Sequence, residues 1–305
     1  MSLVELMIAL VLGGLVIAAV GTVYLGSRQS FRTQDSLSRM QEGARFAFET
    51  MAFDLRQTGL GCETTNTVDA VDETAGGWFT NLFTRPLSGY EASTDLVADE
   101  IADTDSFWVL RADKSQEVLI TVPGTTDADV PVSAGGLVVV TEGYSDATVY
   151  TADSVAGTTY TKTESSRCKP AAAVDDIANY RLLPLIGHFY HIRDNTAGQP
   201  SLYRETLRAD GSTEAQELVE GVEDMQVRYG EDTSQVSVAE CPDDGCSVDA
   251  YVDADAVTNW NRVVAVRVTL TLRTTEDNLA TEDTAAGDRR IRKTFTTTIA
   301  VRNRL

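Results

Sequence analysis

At 305 residues, 43% hydrophobic and 23% charged, the chain is long and apolar enough to bury a core, which excludes global disorder. Its formal charge is −21, from 46 acidic and 25 basic residues, so it lacks the basic footprint of a general nucleic-acid binder. The charge is unevenly spread: residues 1–60 are neutral, residues 61–288 carry −27 and residues 289–305 carry +6.

The first element is an apolar run. Leu6 to Ser27 are 22 residues without a charge. As a helix they extend roughly 33 Å, enough to cross a hydrocarbon core of about 30 Å. A cleavable signal peptide needs a basic leading region and a small-residue cleavage site. Residues 1–5 offer no basic residue, so the run is expected to be retained. Glu5 sits at its edge, where a carboxylate costs on the order of 3 kcal/mol if it lies deep in a bilayer. It calls either for a partner, such as the α-amino group of Met1 or of a neighbouring copy, or for a place in the headgroup zone. Arg28, Arg32, Arg39 and Arg45 after the span favour a cytoplasmic domain by the positive-inside rule. Four cysteines in an acidic, loop-rich domain favour an oxidising compartment. One resolution would be a basic leader ahead of Met1 that has been removed.

The segment MSLVELMIALVLGGLVIAAV resembles the mature N-terminus of type IV pilins and type II secretion pseudopilins. The resemblance implies that prepilin peptidase cuts before Met1, that Met1 is then N-methylated, and that Glu5 is the glutamate used in assembly. It also implies a single-pass inner-membrane precursor with a periplasmic domain.

Beyond Ser27 the pattern becomes one-faced. Leu37, Met40, Ala44, Phe48, Met51 and Leu55 form a helical stripe, with Arg39, Glu42, Arg45, Glu49 and Arg56 mostly off it. No proline interrupts residues 1–58, and Gly59 and Gly61 supply a stop. Three segments follow: a transmembrane and assembly segment 1–27, an amphipathic continuation 28–58 and a β-rich domain 59–305. Gly13, Gly14 and Gly21 are points where the helix would bend or pack closely.

Strands are expected at Ser106–Ala112, Glu117–Val122, Gly136–Thr141, Ala147–Thr151, His188–Arg193, Ser201–Thr206, Glu223–Tyr229, Arg262–Thr274 and Arg292–Arg302. Their alternation suits an antiparallel sheet with one face on the helix. Stretches 63–105, 124–135, 152–180, 230–258 and 275–288 read as loops. The fold class is therefore α+β, a long N-terminal helix on an antiparallel sheet. The succession SLYRETL, ELVEGVEDMQVRYG, WNRVVAVRVTLTLRT and RRIRKTFTTTIAVRNRL resembles the PilW minor pilins of type IV pili, relatives of the J-type minor pseudopilins. That resemblance implies the type IV pilin-like fold and a place in the priming and tip complex. The implied partners are other minor and major pilins, a PilY-type tip adhesin, the inner-membrane assembly platform and, before assembly, the lipid bilayer.

Chemistry is sparse. CPDDGC is a turn sequence able to bring Cys241 and Cys246 together, which leaves Cys62 for Cys168. Four cysteines allow three connectivities, of which this one is favoured; zinc would want CxxC pairs that are absent. His188 and His191 point to opposite faces of a strand, so they are not expected to share a metal. Asp243, Asp244, Asp249, Asp253 and Asp255 could hold calcium, but their spacing fits no EF-hand and a solvated loop is favoured. The basic tail, with Arg302 and Arg304, is expected to meet the acidic body or the helix. There is no nucleophile elbow, phosphate loop or HExxH, so neither catalysis nor a cofactor is expected. The expected function is a structural minor pilin. The alternatives are a minor pseudopilin of type II secretion and a membrane-anchored periplasmic enzyme or ligand-binding protein.

Overall fold

The computed structural model describes residues 3–59, 69–70, 85–92, 100–142, 146–167, 180–207, 213–233, 247–280 and 287–301. Helix α1 spans Leu3–Gln57, 55 residues and roughly 83 Å, and runs unbroken through Gly13, Gly14 and Gly21. It stops where Gly59 takes φ +73°. The Gly59 N–H donates to the Leu110 carbonyl at 3.0 Å, tying the helix end to the sheet.

Fifteen strands follow among the described residues: β1 (Asp69–Ala70), β2 (Leu87–Tyr90), β3 (Ser106–Ala112), β4 (Val118–Val122), β5 (Thr125–Thr126), β6 (Leu137–Glu142), β7 (Asp146–Ala156) and β8 (Thr159–Arg167), then β9 (Arg181–Asp194), β10 (Pro200–Leu207), β11 (Thr213–Glu220), β12 (Val222–Glu231), β13 (Ala250–Val252), β14 (Val263–Arg273) and β15 (Arg292–Ala300). All pairings are antiparallel.

The 14-residue β9 organises the larger sheet. Its first residues pair with β4 on one side and β6 on the other, and the path β9-β4-β5-β8-β7-β6 returns to β9 as a closed ring. Val118, Ile120, Val138, Val140, Tyr150, Tyr160 and Leu182 form one apolar cluster of that ring. Further along, β9 lies between β3 and β10 in the platform β2-β3-β9-β10-β11. A second sheet, β13-β12-β14-β15, packs beside the platform. Asp105, at the foot of β3, joins the two: its N–H donates to the Met225 carbonyl and its carboxylate accepts from the Val227 N–H, each at 2.8 Å.

The largest core lies where α1 meets both sheets, with Met40, Ala44, Ala47, Met51 and Leu55 against Phe107, Tyr190, Leu202, Met225, Val266 and Leu270. Gly89 permits this closeness, since a Cβ there would lie 2.0 Å from the hydroxyl of buried Tyr229.

The expectation of a long helix on antiparallel strands holds, but the single sheet is corrected to two, one of them partly closed on itself. Residues 152–156 and 159–167 of the expected loop 152–180 are strand instead: β7 runs on to Ala156, turns at Gly157 and returns as β8. Its Thr and Ser read as loop by composition, but threonine is β-branched and its hydroxyl is satisfied at the solvent face of a sheet. Short strands β1, β2, β5 and β13 also fall inside expected loops.

Candidate functional site

Two halves of α1 differ in kind. The large apolar side chains of its N-terminal half are exposed: Leu3 is 78% exposed, Ile17 75% and Leu25 64%. An 18-residue window has mean hydropathy 2.7 and none of it is buried, so this helix is long and apolar enough to cross a membrane. Glu5 lies in its first turn, where an acid meets the positive end of the helix dipole. The packed half begins near Gln29, whose side-chain amide donates to the Asn278 carbonyl at 3.2 Å.

The packed half ends on a buried ionic anchor. Asp54 is fully buried. Its carboxylate accepts from Arg111 Nε at 2.9 Å and Tyr190 Oη at 2.5 Å, and meets His188 Nδ1 at 2.5 Å. Arg204 approaches to 3.9 Å. Burial alone would raise the Asp54 carboxyl, but His188, Arg111 and Tyr190 outweigh it and hold it below the usual range. Burial, reinforced by Asp54, pushes the Tyr190 hydroxyl far up, so it stays a donor. Arg111 reaches on to Asp113, whose carboxylate also accepts from Ser115. The group is sealed: Asp54, His188 and Tyr190 offer no surface to a substrate, and what they do is pin the helix end to β3 and β9.

A second buried group occupies the opposite face of β9. His191, fully buried, stacks between Phe189 and Tyr203, and its Nε2 lies 3.4 Å from Glu205. Burial, with Arg193 nearby, pushes its pKa down to about 4. Burial and the charge of Glu205 push Glu100 up to about 7. The two histidines do face opposite ways, each into a different cluster. Among the described residues no group of three or more His, Cys, Asp or Glu could hold a metal ion.

Other residues named from the sequence are distributed as follows. Met1, Cys62, Cys168, Cys241 and Cys246 lie outside the described residues, as do Asp243, Asp244, Arg302 and Arg304. Asp249 accepts from the Thr233 N–H and hydroxyl at 2.8 Å, and Asp253 pairs with Arg228 at 3.1 Å. At the start of the basic tail Arg292 is held by Glu223 and Asp288, and Arg290 donates to the carbonyls of Thr274 and Thr275. The sequence reading missed Asp54, yet its signal was there. Met40, Ala44, Ala47, Met51, Asp54 and Thr58 return at spacings of 4, 3, 4, 3 and 4, so the acid falls on the buried stripe.

Residues 189–303 match the family model for PilW, Type IV Pilus-assembly protein W. No curated protein and no solved structure matches the chain. The matched stretch takes in the far half of β9, β10, β11 and the whole second sheet, the scaffold on which the packed half of α1 rests. The C-terminal part of the chain is thus similar to PilW, a type IV pilus-assembly protein, and it follows a helix of membrane length.

Proposed function

We propose that the chain is a structural minor pilin that does no catalysis and co-assembles through the apolar half of α1 into the priming and tip complex of a type IV pilus. One observation carries this reading: a continuous helix whose first half is apolar and wholly uncovered and whose second half is the spine of a folded domain. Such a face is stable in lipid or against similar helices, and in water it is a liability. Residues 1–27 would hold the precursor in the inner membrane, with 59–305 in the periplasm and 28–58 joining them. Prepilin peptidase would expose Met1 for N-methylation, and the assembly platform would move the helix from lipid into a bundle of pilin helices.

In that bundle Glu5 would be buried, and a neighbour's N-terminal amine would offset the cost and set axial register. The domain would stand at the pilus tip beside a PilY-type adhesin, braced by Cys241–Cys246 and Cys62–Cys168 bridges. The second of these, closing a loop of about 100 residues, would contribute roughly 4–5 kcal/mol. Crosslinking and mass spectrometry of sheared filaments test incorporation, processing, methylation and both bridges together. Glu5→Ala is expected to insert in the membrane normally and to be lost from filaments. Incorporation of that variant at wild-type level would sink the role given to Glu5.

A further inference from the structure

The two sheets do not guard their edges equally. The platform ends at β11, whose exposed glutamates Glu214, Glu217 and Glu220 discourage strand addition, and at β2, only four residues long. The second sheet ends at the three-residue β13 and at the nine-residue β15. β15 keeps nine consecutive pairs with β14, with no bulge and no proline. Its charges, Arg292 and Lys293, stand at its start, and Thr294–Ala300 has none. Alternate backbone N–H and C=O groups of this stretch point away from β14, where no described strand receives them.

Beside that edge lies a groove of about 740 Å³ between β15 and the flank of α1. Ala44, Phe48 and Ala52 line it from the helix, and Phe295 and Thr297 from the strand. It extends along the helix from Gln41 to Gln57, roughly 24 Å, the length of about seven extended residues. That is also the length of the uncharged stretch Thr294–Ala300. Among the described residues the sheet stops one strand short of covering the helix it supports.

The charge beside the groove indicates what fits it. In a chain of net charge −21, Arg56 at the rim and Lys293, which lies over the Phe295 ring, have no acidic partner among the described residues. Arg45 is already paired with Glu49 at 2.8 Å.

We propose that the free edge of β15 and the groove beside it receive one extended segment of another polypeptide as a fifth strand of the second sheet. The segment carries apolar side chains at alternate positions, turned onto Ala44, Phe48, Ala52 and Phe295, and is flanked by acids that meet Arg56 and Lys293. Main-chain bonds to β15 supply affinity and the groove supplies selectivity. The site lies on the packed half of α1, clear of the apolar half, and does not depend on how that half is used.

The test uses the full chain in detergent and a synthetic peptide, Glu-Thr-Val-Thr-Val-Thr-Val-Glu, read by amide hydrogen exchange and fluorescence anisotropy. Saturable binding that slows exchange across Thr294–Ala300 is expected. Thr296→Pro, which blocks the ladder, and Phe48→Glu, which charges the groove floor, are each expected to weaken binding by roughly tenfold or more. Arg56→Glu is expected to weaken the acidic peptide and to favour the same peptide with lysine ends. No protection at millimolar peptide, or affinity unchanged in all three variants, would overturn the proposal. So would protection of β15 without peptide: an edge covered by the chain itself if independent of protein concentration, or by a second copy if it rises with concentration.

Discussion

Asp54 is the residue on which the attachment of α1 depends most. Its neighbours Arg111, His188 and Tyr190 come from β3 and β9, so removing the carboxylate leaves the buried Arg111 with only its longer 3.4 Å contact to Asp113 and takes the acceptor from Tyr190. Breaking one side of a buried pair typically costs 3–5 kcal/mol, well beyond the worth of an exposed pair such as Arg39–Asp35. Asp54→Ala is therefore expected to lower the unfolding free energy by about 3–5 kcal/mol in urea titrations of the full chain in detergent, and Asp35→Ala by less than about 1 kcal/mol. Equal, small losses in both variants would show that the anchor contributes nothing special. A lone aspartate on an apolar stripe was legible in the sequence. Its partners were not, because they stand 57, 134 and 136 residues away and only the register of β3 and β9 brings them to one point.

At the scale of the element, α1 is one helix in three environments. Its first half is uncovered, its second half buries Met40, Ala47, Met51 and Leu55, and the outer face of that second half carries exposed Phe31, Phe46 and Phe53. With Tyr24 these aromatics return within roughly 60° of one another around the axis, opposite the buried stripe, although Phe53 also lies beneath Arg111 of β3. The two faces give opposite expectations. Met51→Ala, in the core, should cost about 2–5 kcal/mol. Phe46→Ala, half exposed, should stay within about 0.5 kcal/mol in the isolated chain. Chemical denaturation of both variants checks the contrast, and a large loss at Phe46 would mean that its face is already covered. The helix was readable almost to its ends, because 3.6-residue periodicity, absence of proline and a glycine stop are local signals. The β7–β8 hairpin was not, because a threonine-rich strand owes its stability to cross-strand neighbours that composition does not reveal.

At the scale of the whole molecule, two buried groups set opposing responses to pH. His191 falls from an ordinary 6.5 to about 4 on folding, so between those values the unfolded chain binds more protons and stability rises with pH. Glu100 climbs from 4.5 to about 7, so across that range the folded chain binds more protons and stability falls with pH. The slopes oppose each other where the ranges overlap. His191→Gln is expected to leave a molecule that loses stability as pH rises from 4.5 to 7, and Glu100→Gln one that gains it from 4 to 6.5. Unfolding curves across that range test both signs, and parallel profiles for the two variants would refute the assignment.

The sequence by itself determined the membrane-length helix, its amphipathic continuation, most of the longer strands and the family resemblance, since each is written in short-range periodicity or in a contiguous motif. It also located the acidity between a neutral helix and a basic tail. Only the tertiary structure decided that there are two sheets, that one closes on itself through β9, and that Asp54 meets Arg111, His188 and Tyr190. It alone left β15, among the described residues, with an unpaired edge beside a groove floored by Ala44, Phe48, Ala52 and Phe295. The physical reason is the same in each case: strand register and helix docking are fixed by contacts between residues far apart in the chain, and no local pattern encodes which of them will meet.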